Sequence, residues 1–90
     1  MEICKGDIVQ SKNGRDEGNA LFVIATDEDY LILADGKSRK LEHPKRKKGR
    51  HCQFLARLTD CRVSEKIRDG EKIGNSEIRR AIAAYCAVKT

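Results

Sequence analysis

This 90-residue chain is poor in aromatic residues: it has no Trp, two Phe and two Tyr. Its apolar residues, 39% of the total, suffice for one small core and not for a large enclosed cavity. A small-molecule substrate and a bound cofactor are therefore not expected. No apolar stretch approaches the roughly 18 to 20 residues that a membrane-crossing helix needs. The opening Met1-Glu2-Ile3-Cys4-Lys5-Gly6-Asp7 is neither an apolar signal core nor an Arg- and Ser-rich transit segment, so a cytoplasmic protein is expected. None of Cys4, Cys52, Cys61 and Cys86 belongs to a Cys-x-x-Cys pair. Without an export signal, reduced thiols are the default. His43, His51-Cys52 and Cys61 lack finger or ribbon spacing, so small buried or half-buried thiols are expected in preference to metal ligands.

Catalytic constellations are missing as well. There is no P-loop pattern. His43 and His51 flank a basic stretch with no nucleophile or paired acid fixed beside them. Asp27-Glu28-Asp29 lacks the calcium-loop pattern and reads as a solvated turn. An enzyme is not expected.

Charge is plentiful, at 37% of residues, and unevenly spread. Residues 1–36 hold three basic and eight acidic groups, a net −5. Residues 37–50 hold eight basic groups and one acidic, a net +7, against +5 for the whole chain. Such a cluster repels itself unless an anion neutralises it. A nucleic acid fits that requirement, because Lys and Arg displace counterions from phosphates. A solvated basic loop without a partner and a localisation signal are the blander readings. A membrane-surface patch fits less well, since the segment carries no interleaved aromatics and no apolar helical face.

Along the chain, Ile8 to Ser11 reads as a short strand, followed by a turn at Lys12-Asn13-Gly14. Ala20 to Ala25 is a continuous apolar run of strand length. Thr26-Asp27-Glu28-Asp29 is a polar turn, Tyr30 to Ala34 a third strand, and Asp35-Gly36 a hairpin signal. Ser38 to His43 is expected as a fourth strand with Leu41 inward, ended by Pro44, and Pro44 to Arg50 as a basic loop. Cys52, Phe54, Ala56 and Leu58 alternate in a fifth strand. Five short antiparallel strands with tight connections make the chain mainly β, a small barrel over residues 1–59. Residues 60–74 read as a polar connector with room for a helical turn after Ser64. In residues 75–90, Asn75 or Ser76 caps a helix, with Glu77 in its first turn. Its stripe of Ile78, Ala81, Ile82, Tyr85 and Cys86 either packs on the barrel or docks another protein.

The glycine-bearing loop between the first two strands can bring backbone N–H groups close to phosphates, with Ser11, Lys12, Asn13 and Arg15 supplying donors beside them. Here the sequence resembles the KOW-motif RNA-binding proteins. It is most similar to the "fourteen-e" type of archaeal and eukaryotic large-subunit ribosomal proteins and their small bacterial relatives. The matching pieces are Gly6-Asp7-Ile8-Val9, Gly14-Arg15-Asp16-x-Gly18, Phe22-Val23-Ile24, Asp27-x-Asp29, the Tyr30–Asp35 strand ending at Gly36, Arg39-Lys40 and the Lys45–His51 cluster. Together they span residues 4–58. The ordered set is more specific than the short motif alone, and residues 60–90 match nothing in the family.

The resemblance implies an SH3-like β-barrel that binds structured RNA, typically ribosomal RNA; the residues themselves add the five strands and the C-terminal helix, and ribosomal proteins are further expected partners. Carried over by position, Ser11, Lys12, Asn13, Gly14 and Arg15 would approach the RNA backbone. Lys37, Arg39, Lys40, Lys45, Arg46, Lys47, Lys48, Arg50 and His51 would neutralise phosphates. The acidic Asp16-Glu17 departs from a wholly basic loop. The residues themselves agree with backbone and shape recognition over reading of unpaired bases, because Phe22, Tyr30 and Phe54 fall in strand patterns and read as core. The competing expectation is a protein-interaction adaptor of the transcription-elongation or antitermination type, using the barrel and the terminal helix.

Overall fold

The computed structural model describes residues 2–12 and 19–89. Five strands form one antiparallel sheet: β1 (Ile8–Ser11), β2 (Ala20–Asp27), β3 (Tyr30–Ala34), β4 (Lys45–Lys48) and β5 (Cys52–Ala56), in the order β4-β3-β2-β1-β5. A 3-10 turn, Gly49–His51, joins β4 to β5. Two helices follow, α1 (Arg62–Asp69) and α2 (Asn75–Lys89). Among the described residues no helix is long and apolar enough to cross a membrane.

The sheet is open. β4 and β5 are its two edges, and no ladder joins them. The chain passes from one to the other through the 3-10 turn without pairing them. The closed ladder expected of five short strands is therefore not formed. The sheet is nevertheless curled: Lys47 on one edge reaches Ser11 on β1, three places away in strand order, its Nζ donating to Ser11 Oγ at 2.7 Å.

Alternation along the strands sorts the apolar residues onto two faces. Val9, Leu21, Val23, Leu31, Leu33 and Cys52 fill the concave side, with Ile3 against them. Ile8, Phe22 and Ala34 face the convex side, where Ile67 of α1 and Ile78 of α2 cover them. Ala81, Ile82 and Tyr85 pack on the same cluster, so the α2 stripe lies against the sheet. Cys86, read into that stripe, is exposed. The segment expected as a connector contains α1, whose Ser64 and Ile67 are buried.

Two glycines let the helices approach. At Gly6 (φ +92) the Ser64 hydroxyl donates to the glycine carbonyl at 3.1 Å, seating α1 against the entry to β1. At Gly36 (φ +76) the turn after β3 meets the first residue of α2. Beyond it, Asp35 Oδ1 accepts from the N–H groups of Lys37 and Arg39, both at 2.8 Å, and the Asp35 and Gly36 N–H groups donate to Arg39 O. These local bonds turn Ser38–His43 into successive turns, where a fourth strand was expected. The fourth strand begins one residue after Pro44, in the segment expected as a loop; a proline is tolerated at a strand's beginning.

The cap of α2 also differs from expectation. Glu77 Oε2 accepts from the Gly74 N–H at 3.0 Å, the return half of a capping box, and Ile78 N donates to Gly74 O. Asn75 is committed elsewhere: its Oδ1 accepts from Leu41 N–H and its Nδ2 donates to Glu42, both at 2.8 Å. The helix therefore holds the turn that leads into β4.

Candidate nucleic-acid interface

The basic stretch of residues 45–48 is an edge strand. Its register pairs Leu33 with Lys45, Ile32 with Arg46, Leu31 with Lys47 and Tyr30 with Lys48. Cross-strand partners share a face. Lys45 and Lys47 therefore share the concave side with Leu33 and Leu31, and Arg46 and Lys48 share the convex side with Ile32 and Tyr30. One edge carries all four cations, divided between its two faces.

On the concave side the Lys47 stem runs along the core and its ammonium ends on Ser11. Ser11 itself is 2% exposed, which removes it from the surface donors expected of the first loop. Lys12 is exposed, and its backbone N–H donates to His51 O at 2.9 Å while its Nζ donates to Arg50 O at 3.4 Å. Lys12 and the Arg50–His51 corner, far apart in sequence, thus meet beside the end of β4. Asn13, Gly14 and Arg15, with the Gly14–Gly18 part of the motif, lie outside the described residues.

On the convex side the Arg46 guanidinium lies 3.8 Å from the centre of the Tyr30 ring, and Lys48 Nζ lies 5.7 Å from it. Arg46 Nη2 also donates to Asp27 Oδ2 at 3.2 Å, an ion pair across three strands. Tyr30 was read as core. It is half-exposed instead, because Leu31 and Leu33 take the inward positions and strand alternation turns Tyr30 outward. Its place next to the Asp27–Asp29 turn was the available signal, since a residue at a strand's first position is seldom enclosed on all sides. Phe54 also lies half-exposed outside both clusters, with the Arg57 guanidinium 5.8 Å from its ring.

Lys37, Arg39 and Lys40 sit at the opposite end of the β3–β4 pair, on the turn held by α2. The structure therefore gathers Lys12, Arg46, Lys47, Lys48, Arg50 and His51 around one end of β4 and leaves Lys37, Arg39 and Lys40 around the other. The four β4 residues span about 10 Å, so the two groups flank one short ridge.

Electrostatics elsewhere is mostly satisfied internally. Asp7 is fully buried and accepts from Cys4 N–H at 2.7 Å and from Arg57 Nε and Nη2, both at 3.0 Å. That pairing holds the Arg57 pKa above its ordinary value. Burial pushes the Cys52 thiol up. Glu77 is held below the usual carboxylate range by the Gly74 N–H first and Lys66 second. On the β4 ridge, Arg46 is paired with the Asp27 carboxylate. Among the described residues no three His, Cys, Asp or Glu side chains come together to hold a metal. Models of known protein families and curated proteins were compared with the chain, and none matches.

Proposed function

We propose that this chain binds structured RNA, of the ribosomal kind, through phosphate contacts along β4 and the corner that follows it. The observation that carries the reading is the meeting of Lys12 with Arg50 and His51 beside a strand made only of Lys and Arg. Pairing with β3 holds the β4 backbone extended, so its cations keep a regular spacing toward a phosphate ribbon. The strand order, the curl measured by the Lys47–Ser11 bond and the 3-10 turn before the last strand support an SH3-like scaffold, in line with the KOW resemblance of residues 4–58. On this reading the protein is a ribosomal or ribosome-associated RNA binder and not an enzyme.

Titrating the full chain with ribosomal RNA fragments over a salt series tests it. If about five phosphates are neutralised, log affinity falls with log salt at a slope of about −3 to −5. Lys12, Lys48 and Arg50 replaced together by Ala should weaken binding more than tenfold and flatten the slope by about 2 to 3. Lys47 is left in place because it also ties the sheet. A flat slope in the unaltered protein, or no binding at low salt, would remove the reading.

A second reading, a protein-docking adaptor, draws on the open groove of about 760 Å³ between α1 and α2, lined by Leu58, Val63, Ala81, Ala84, Tyr85 and Val88. Val88 is 87% exposed there. Retained RNA binding with loss of a protein partner after Val88→Asp would favour it.

A further inference from the structure

The convex side of the ridge differs chemically from the rest of it. Arg46 has a carboxylate against it, Asp27 at 3.2 Å, so part of its charge is already met before any phosphate arrives. Its geometry is the most defined. The guanidinium stacks on the Tyr30 ring at 3.8 Å, and the Asp27 bond fixes its rotation. One face of the plane is covered by the ring, yet the Arg46 side chain is 54% exposed. That exposure leaves room for a third planar group against the guanidinium. Lys48, 5.7 Å from the same ring, stands ready for the phosphate of whatever stacks there.

We infer that Arg46 stacked on Tyr30 is a platform for one unpaired base, at a bulge or loop of the RNA that the ridge holds by its phosphates. Guanidinium planes and aromatic rings both accept stacked bases, and such stacking tolerates every base because each has a π-face. Neutralisation by Asp27 favours this use: a base carries no charge, so nothing is lost when the guanidinium's charge is already met, and the ion pair keeps the plane presented. Asp27 is a positioning residue in this arrangement and does not touch the base. The inference rests on the RNA-binding reading above and adds to it a selective subsite for an extruded nucleotide.

The test uses the full chain and two RNAs: a fully paired duplex, and the same duplex with a single bulged adenosine, prepared also with 2-aminopurine at the bulge. The unaltered protein should bind the bulged RNA about tenfold tighter than the duplex, and 2-aminopurine fluorescence should be quenched on binding. Arg46→Lys keeps the charge and loses the plane; Tyr30→Leu removes the ring. Each should bring the ratio of the two affinities close to one and abolish the quenching. The ratio is read between two RNAs on the same protein, so a smaller folded fraction in a variant cancels. Equal affinities in the unaltered protein, or a preference that survives Arg46→Lys, would overturn the subsite while leaving phosphate binding intact. Absence of binding to either RNA at low salt would overturn the underlying reading and the subsite with it.

Discussion

Gly36→Ala is the sharpest probe of how the terminal helix positions the basic edge. Gly36 has φ +76, and a Cβ added there would lie 2.2 Å from the Asn75 carbonyl oxygen and 3.1 Å from Arg79 Cγ. The left-handed backbone alone costs an alanine about 1 to 2 kcal/mol. The overlap is with backbone, and that backbone cannot retreat freely. The Asn75 amide is bonded to Leu41 and Glu42, and Arg79 Nη1 donates to Gly36 O at 2.7 Å. Separating turn from helix would give up three bonds at about 1 kcal/mol each. The substitution should therefore cost about 3 to 5 kcal/mol, a large share of the total for a domain of this size. The melting temperature should fall by at least about 12 °C. Gly70→Ala is the matched control, because Gly70 has nearly the same φ, +74, and nothing within 4 Å. Urea unfolding followed by circular dichroism would give both values. The control should lose only the conformational cost, and the difference measures the contact with α2. Equal losses in the two variants would refute the reasoning.

Three further outcomes are expected. Ile78→Ala, in a fully buried α2 residue, should destabilise by about 2 to 4 kcal/mol in the same assay, and a loss below 1 kcal/mol would mean that α2 does not cover the sheet. Arg57→Ala leaves the buried Asp7 carboxylate with the Cys4 N–H as its one remaining bond of those described, and should cost about 2 kcal/mol at neutral pH; Asp7→Asn in the same background should recover part of it. Glu77 is held below its ordinary value of 4.5, so its contribution is present above that pH and is lost as pH falls through the depressed folded value; stability measured from pH 6 to pH 2 should fall less steeply in Glu77→Gln than in the unaltered chain.

Most of the sheet was legible because most of its strands announce themselves. β2 and β3 are apolar runs bounded by turn residues, and β1 and β5 place Val9 and Cys52 where the concave core needs them. β4 could not be found this way. Its inward positions are Lys45 and Lys47, so no hydropathy alternation exists, and the strand is defined by its partner β3 and by Lys47 reaching Ser11. Ser38–His43 misled for the converse reason: a β-like sequence is overruled by Asp35 and Asn75 capturing its backbone N–H groups. α1 has two apolar residues at helical spacing, Val63 and Ile67, in an octet whose other residues are charged except Ser64, too few to stand out from a connector. The same blind spot affected the site. That the cations cluster was plain from composition. That Arg46 and Lys48 share a side with Tyr30, and that Lys47 does not, follows only once the segment is known to be a strand.

The β4 edge has one more consequence. An outer strand exposes unpaired backbone N–H and C=O groups, which invite another strand to add alongside and so seed fibrillar stacking. Here that margin consists of four consecutive positive side chains. A second copy approaching edge to edge would bring its own four against them, and the repulsion would exceed the modest gain from a few new main-chain bonds. The residues that would draw a polyanion therefore also guard the chain against self-aggregation.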